Sequence, residues 1–233
     1  MENDNFRKLF EIYDITGLSR KRLGNNGDGG YVVPEELLRK IRNCVTFGVG
    51  PDVSFEISLD EKFPGKIGFD FYDHTVSELP GISDKRPNMF FHREMVTPEN
   101  ADGTVSGKDG VLLKFDIEGS EYGLAGKISD RNLDNVVFLV CEIHWVNTNV
   151  ENVRKLVSWL EEKFVLFHLH GNNNTYSYAE IDGIKIPNVS ELTLVNRKFA
   201  EGVEVSKEKF PVPGIDFPNN RFGADMEIFR NAG

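Results

Sequence analysis

The sequence predicts an α/β domain, because short apolar segments alternate with helical patterns from residue 44 onward. Seven segments read as strands, at 45–49, 66–72, 89–91, 111–115, 136–142, 165–169 and 191–195. The clearest crossover helix joins the fifth of these to the sixth, and its apolar face consists of Val153, Leu156, Val157 and Leu160. No helical period appears at 171–190, so we expect the last strand to run antiparallel to the sixth.

The 233 residues fit one domain with three parts. Residues 1–43 should form a helix at Phe6–Tyr13, a glycine-rich loop at 24–31 and a short helix after Pro34. Residues 44–198 should form the α/β core. Residues 199–233 are rich in proline and glycine and should be irregular structure that lies on the domain.

Composition excludes several classes of protein. Lys plus Arg is 27 and Asp plus Glu is 37, a net charge of −10 that argues against nucleic acid as a partner. The longest apolar run, 136–141, is far shorter than the roughly 20 residues that span a bilayer, so no membrane insertion is expected. The N-terminal residues lack the features of a secretory signal, which favours a cytoplasmic protein. Cys44 and Cys141 are expected to be buried free thiols.

A glycine turn follows the first predicted parallel strand and contains Gly48 and Gly50. Glycine allows a ligand to approach the backbone where a strand turns into a helix. The dinucleotide fingerprint G-x-G-x-x-G would need a further glycine at Val53. The turn is therefore either a ligand loop of another kind or a tight connection.

Acidic residues follow the second and the fourth strands of the pattern. Asp73 comes about twenty residues after the glycine turn, where a carboxylate can bind ribose hydroxyls, with Asp70 as the alternative. Either could instead be a solvated loop acid. Asp116 directly follows the strand at 111–115. Because Ser120 can cap the next helix, Asp116 is free to contact a ligand.

The fifth and sixth strands end in histidines. Glu142 and His144 are two positions apart and share a face of the strand, so both can point into the same crevice. A neutral histidine is a suitable general base near pH 7, and His144 is the predicted base. The alternative is a structural hydrogen bond.

Polar residues after the sixth strand suit a polyhydroxylated substrate. His170, Asn172 and Asn173 offer donors and acceptors, although a plain Asn-rich turn is the alternative. Asp116, Glu142 and His170 could also assemble a site for Mg²⁺ or Mn²⁺, because oxygen and imidazole ligands suit these ions.

Three segments together resemble the FkbM-like family of S-adenosylmethionine-dependent methyltransferases. They are Gly48-Val49-Gly50-Pro51-Asp52, the block at 113–122 (LKFDIEGSEY) and the glycine-rich segment at 27–33 (GDGGYVV). The similarity covers roughly residues 24–196. It implies a Rossmann-like class I methyltransferase fold with a seven-stranded, mostly parallel sheet and helices on both faces. It also implies S-adenosylmethionine as methyl donor and methyl transfer to a hydroxyl, often on a sugar.

The resemblance also assigns roles to individual residues. Gly48, Gly50 and Asp52 match the cofactor loop, Asp73 the ribose acid, and Asp116 with Glu118 the acidic motif. The expected cofactor site further includes His74, Gly29, Gly30 and Tyr31, and Glu118 is expected on the substrate side. Pro51 departs from the family pattern and removes one backbone donor.

The sequence therefore predicts an O-methyltransferase that acts on a sugar or glycan. In this interpretation His144 takes the acceptor's proton, Asp116 and Glu142 orient the acceptor or a cation, and activity falls on acidification through about pH 6.5. Two alternatives remain at this point. One is a nicotinamide-dependent oxidoreductase, and the other is a catalytically silent glycan-binding domain.

Overall fold

The computed structural model describes residues 8–82, 86–181 and 183–228. The strands are β1 Tyr13–Ile15, β2 Arg20–Leu23, β3 Tyr31–Pro34, β4 Asn43–Phe47, β5 Gly68–Tyr72, β6 Met89–His92, β7 Val111–Phe115, β8 Val136–Ile143, β9 Phe164–Gly171, β10 Tyr178–Ile181, β11 Ile184–Pro187, β12 Ser190–Asn196 and β13 Val203–Val205. The α-helices are α1 Ser54–Lys62, α2 Ala101–Val105, α3 Asp130–Leu133 and α4 Val150–Glu161. Short 3-10 helices lie at Glu35–Lys40, Glu121–Leu124, Val146–Thr148 and Arg197–Phe199.

A seven-stranded sheet forms the centre of the protein, in the order β6-β5-β4-β7-β8-β12-β9. The neighbouring pairs from β6 to β8 are parallel, whereas β12 is antiparallel to both β8 and β9. Each of the seven predicted strands is present, and the antiparallel last strand is confirmed. This is the Rossmann-like class I methyltransferase fold.

The antiparallel strand follows from the connection that precedes it. Between β9 and β12 the described residues form the hairpin β10–β11 and no helix. A parallel return would need a long crossover, which this segment does not provide. As a result β12 lies between β8 and β9. These two strands follow one another in the predicted parallel pattern but are not adjacent in the sheet.

Apolar side chains cover both faces of the sheet. One cluster includes the face of α4 with Val153, Leu156, Val157 and Leu160, as predicted. The other includes Phe55 and Leu59 of α1, packed with Phe69 and Phe71 of β5. Cys44 and Cys141 are buried free thiols, also as predicted.

The two ends of the chain differ from expectation. Tyr13 begins strand β1 instead of ending a helix, since Ile12 and Ile15 are buried around it and β1 pairs with β13. Phe6 lies outside the described residues. At the other end, residues 199–233 were expected to be irregular, but they contain strand β13.

The glycine-rich segment connects two strands that form an antiparallel hairpin, β2–β3. Pro34 is followed by a short helix, as predicted, although it is a 3-10 helix. Within the described ranges, no helix has the length and apolar character needed to cross a membrane.

Candidate functional site

A cavity of about 660 Å³ opens where the carboxyl ends of β4, β5, β7 and β8 meet. Ligands of open α/β sheets bind at this edge. Most of the predicted site residues line it, namely Gly29, Tyr31, Gly48, Gly50, Asp52, Asp73, His74, Asp116, Glu118, Glu142, His144 and Asn172. Gly30, His170 and Asn173 do not belong to this lining.

The glycine turn brings the ends of β4 and β7 into contact. Gly48 has φ +75°, and a Cβ there would collide with the carbonyl oxygen of Asp116. Gly50 also has a positive φ, +60°, but open space surrounds it. Gly48 is thus required by packing, whereas Gly50 leaves room beside the cavity for a ligand.

Asp73 is tied to this turn by hydrogen bonds. Its Oδ2 accepts from the N–H groups of Val49 at 2.8 Å and Gly50 at 3.1 Å. Its Oδ1 accepts from the N–H and the hydroxyl of Thr75, both at 2.6 Å. Burial alone would raise the pKa of Asp73, but these donors outweigh it and lower the pKa to about 2. Asp73 is therefore ionised and shapes the turn.

The alternative acid, Asp70, lies outside the cavity lining. Its carboxylate contacts His92 Nε2 and Lys108 Nζ, each at 2.9 Å. Of the two candidate acids, Asp73 lies at the cavity wall and Asp70 does not.

The glycine-rich hairpin closes one side of the cavity. Tyr31 donates a hydrogen bond to Asp116 Oδ2 at 3.0 Å, and Asn25 donates to Asp52 Oδ2 at 2.5 Å. A Cβ at Gly29 would lie 2.8 Å from the carboxyl carbon of Asp52. Gly30 instead faces the Asn25 carbonyl and the Arg22 side chain. The predicted role of Gly30 at the cofactor is therefore replaced by a structural one.

His144 lies at the cavity wall, where both its ring and its backbone carbonyl are hydrogen-bonded. Its Nδ1 shares a short hydrogen bond with Glu121 Oε1, and its backbone carbonyl accepts a short hydrogen bond from the Tyr122 hydroxyl. Its Nε2 lies 3.7 Å from Asp116 Oδ1 and 3.6 Å from Glu118 Oε2. Burial would lower the pKa of His144, but the nearby carboxylates, Glu121 first, raise it above the ordinary value.

Sequence reasoning assigned no role to Glu121, which is completely buried. The residue lies in a 3-10 helix of four residues, too short to show a hydrophobic period. Its second oxygen, Oε2, is buried without a hydrogen-bond partner among the described residues. The acid-rich block at 113–122 was the signal available, but nothing in it distinguishes a buried carboxylate from an exposed one.

Asp116, Glu142 and His144 could hold a divalent cation. Each offers a ligand atom, and these atoms lie within 4.8 Å of one another. Glu142 also accepts a hydrogen bond from Asn172 at 2.7 Å. Burial, then the charges of Asp116 and Glu191, raises the pKa of Glu142 well above the usual range, and a bound cation would relieve this repulsion.

The prediction of His170 as the third metal ligand is wrong. Its Nδ1 is 3.0 Å from Glu191 Oε2 and its Nε2 is 2.9 Å from Asp225 Oδ1, so both nitrogens have carboxylate partners away from the cavity. The cause is the position of β12, which separates β9 from β8. The histidine that lies with Asp116 and Glu142 is His144 and not His170.

The asparagines after β9 do not all line the cavity. Asn172 lines the cavity and contacts Glu142, and Asn174 and Thr175 line it as well. Asn173 points instead at the C-terminal tail, residues 206–228, and donates to the carbonyls of Asn220 and Ala224 at 3.0 Å each. The predicted substrate contact of Asn173 is therefore replaced by a structural one.

The mouth of the cavity carries two residues in the left-handed region. Glu118 and Trp145 both have φ +54°. The side chain of Glu118 is 81% exposed, and Trp145 is 45% exposed. Non-glycine residues persist there only where their surroundings hold them, and such residues cluster at functional sites. Thr148 and Asn149 hold Trp145 by donating to its carbonyl. These bonds hold the backbone of Trp145, and its exposed ring and the exposed Glu118 carboxylate both belong to the cavity lining.

No protein-family model matches the chain, and no curated protein matches it either. Similar solved structures include the fibrillarin pre-rRNA processing protein of Methanococcus jannaschii, with 9% identity, a TM-score of 0.45 and 68% of each chain covered. A structure named CmcI-D160 Mg-SAM has 10% identity and a TM-score of 0.42, with 57% of this chain and 60% of that chain covered. TrmN of Thermus thermophilus has 10% identity and a TM-score of 0.37, with 70% and 47% covered.

Proposed function

We propose that the protein is an S-adenosylmethionine-dependent methyltransferase of the FkbM-like kind that methylates a hydroxyl group of a sugar or glycan. The observation that carries the proposal is the arrangement around one cavity. The glycine turn with Asp73 lies on one side, and His144, fixed by Glu121, faces Asp116 on the other.

The cavity fits the cofactor in size and charge. Its volume of about 660 Å³ lies within the range usual for small-molecule sites. Asp73 and Asp116 are among the carboxylates on its wall, and they suit a ligand that carries a sulfonium cation. When bound, S-adenosylmethionine supplies an electrophilic methyl group.

The residues of the chain then have distinct tasks in the transfer. His144 Nε2 would accept the proton that the acceptor hydroxyl loses on methylation. Glu121 holds the ring through Nδ1 so that Nε2 faces the cavity. Asp116 lies next to that nitrogen and orients the acceptor.

A sugar acceptor is supported by the polar and aromatic groups at the mouth. Asn172, Asn174 and Thr175 offer hydrogen-bond donors and acceptors for hydroxyls, and Trp145 presents an exposed ring. The acidic wall opposes an acceptor with many phosphates, in agreement with the negative net charge. The proposal thus favours an uncharged glycan over RNA.

Cofactor binding is the first test. Isothermal titration calorimetry should show binding of S-adenosylmethionine and S-adenosylhomocysteine, and neither NAD nor NADP should raise the melting temperature. Binding of a nicotinamide cofactor would support the oxidoreductase alternative. Carbohydrate binding without any cofactor binding would support the silent glycan-binding domain.

Transfer itself is tested with radiolabelled methyl donor and a panel of glycans, with RNA as the competing acceptor. Label should enter an ether-linked methyl group on the sugar. Label in RNA would contradict the choice of acceptor while leaving the methyltransferase assignment in place.

A second proposal concerns a divalent cation and rests on the cluster of Asp116, Glu142 and His144. The oxygen-rich donor set fits Mg²⁺ or Mn²⁺, and an ion there would lower the pKa of an acceptor hydroxyl. Activity lost in chelator and restored by either ion would support it. Full activity in chelator would leave His144 as the base without a metal.

A further inference from the structure

Lys114 is a buried cation on the wall of the cavity. It lies on β7 two residues before Asp116, so both side chains belong to the same face of the strand. Its side chain is only 4% exposed, yet it lines the cavity. In the described part of the chain, no other lysine or arginine does so. An anionic group of a bound ligand would therefore be attracted to this point of the wall.

The contacts of Lys114 hold its ammonium group without using all its donors. Nζ lies 3.4 Å from Glu56 Oε1, which also accepts from the Thr46 hydroxyl at 2.9 Å. Glu56 Oε2 is buried without a hydrogen-bond partner among the described residues. The ammonium also lies 5.0 Å from the centre of the Tyr31 ring. Since an ammonium carries several N–H donors, some remain for a ligand.

We infer that Lys114 binds the carboxylate of the methionine part of S-adenosylmethionine, an inference that rests on the proposed function. This carboxylate is the anionic group of the cofactor, whose sulfonium and amino groups are cationic. The other charged groups of the wall are carboxylates and two histidines, which suit the cationic parts.

The same assignment fixes the direction of the cofactor in the cavity. Lys114 on β7 and Asp73 after β5 lie on opposite sides of β4. On this assignment Lys114 at β7 would hold the methionine end of the cofactor, and Asp73 after β5 would hold the ribose.

The test compares two ligands that differ only in this carboxylate, S-adenosylmethionine and decarboxylated S-adenosylmethionine. A hydrogen bond between charged groups contributes about 1.5–3 kcal/mol, so calorimetry of the parent protein should show roughly 10- to 150-fold tighter binding of the carboxylated form. Lys114→Met keeps the apolar stem and removes the charge. In this variant the ratio of the affinities for the two ligands should fall close to one, because only the affinity for S-adenosylmethionine decreases.

Two further variants keep the test decisive. Lys62→Met removes a lysine that pairs with Glu35 at the surface and should leave the ratio unchanged. If Lys114→Met does not fold, the double variant Lys114→Met with Glu56→Gln removes both charges of the pair and avoids a lone buried carboxylate. Its ratio should also fall close to one.

Two results would overturn the inference. An unchanged ratio would show that the carboxylate binds elsewhere. An equal loss of affinity for both ligands would show that Lys114 supports only the fold. If neither ligand binds the parent protein, the proposed function fails, and that result is distinct from the other two.

Discussion

The Tyr31 hydroxyl donates a hydrogen bond of 3.0 Å to Asp116 Oδ2, across 85 positions of the sequence. This bond joins the glycine-rich hairpin to the carboxyl end of β7. Tyr31 is also buried and packs edge-on against Phe55, with ring centres 5.4 Å apart. One residue thereby links the N-terminal hairpin, helix α1 and the acidic wall of the cavity.

Tyr31→Phe removes this bond and keeps the ring. We expect the free energy of unfolding to fall by about 1 kcal/mol and the affinity for S-adenosylmethionine to fall about fivefold, because the hairpin loses its tie to Asp116. Denaturant unfolding and calorimetry measure the two effects. Tyr13→Phe, which removes a bond to Glu11 away from the cavity, should leave cofactor affinity unchanged. If both variants bind S-adenosylmethionine equally well, the bond between Tyr31 and Asp116 does not contribute to cofactor binding.

Asp73→Ala should weaken S-adenosylmethionine binding roughly 10- to 150-fold, because a charged acceptor for hydroxyls is lost. The N–H groups of Val49 and Gly50 lose their acceptor in the same variant, so their hydrogen exchange should accelerate. Asp70→Ala is the matched control and should alter neither quantity. If a folded Asp73→Ala protein keeps full affinity, the ribose acid is Asp70 or the site is wrong.

His144→Ala should lower the methyl-transfer rate about 10²- to 10⁴-fold and leave cofactor affinity nearly unchanged. In the parent enzyme the rate should fall on acidification at a pH above 6.5, since the carboxylates around the ring raise its pKa. His92→Ala, at the edge strand β6, should keep the parent rate. A fast His144→Ala enzyme together with an inactive His170→Ala enzyme would place the base on β9.

His170 predicts a loss of stability at alkaline pH. Burial would lower its pKa, but Glu191 and Asp225 outweigh burial and raise the pKa to about 10. A folded-state pKa above the unfolded value near 6.5 adds stability that is complete below about pH 6.5 and is lost as the pH rises through about 10. Denaturant unfolding at pH 6 and at about pH 9.5 measures the difference.

The matched variants for His170 are His170→Gln and the exposed His74→Gln. His170→Gln should lose most of the difference in unfolding free energy between the two pH values, whereas His74→Gln should keep it. An equal pH dependence in all three proteins would mean that His170 does not carry the effect.

The sequence was sufficient for the sheet and for most of the cavity wall, for a physical reason. Buried parallel strands produce continuous apolar runs, and the residue that follows each run lies at the edge where ligands bind. Asp73 and Asp116 could be placed from that rule alone. Tyr13 could not, because a short run of apolar residues fits a strand as well as a helix.

The remaining site residues depend on features that a single sequence does not encode locally. His170 was misplaced because the insertion of β12 between β8 and β9 is a property of the whole topology. Glu121 and Lys114 are charged residues whose burial depends on distant partners, His144 in one case and Glu56 in the other. Their charge made exposure the ordinary expectation.

The side chain of Asp28 lies at the cavity wall and accepts a hydrogen bond of 3.2 Å from Asn219, 191 positions later in the sequence. Such a contact closes a very long loop, and the entropy of that closure opposes its early formation. During synthesis, the β4 to β8 part of the sheet can pair long before Asn219 has left the ribosome. The contact between Asp28 and Asn219 then forms in a late step of folding, so the glycine-rich hairpin is tied to the C-terminal tail only after the central strands have paired.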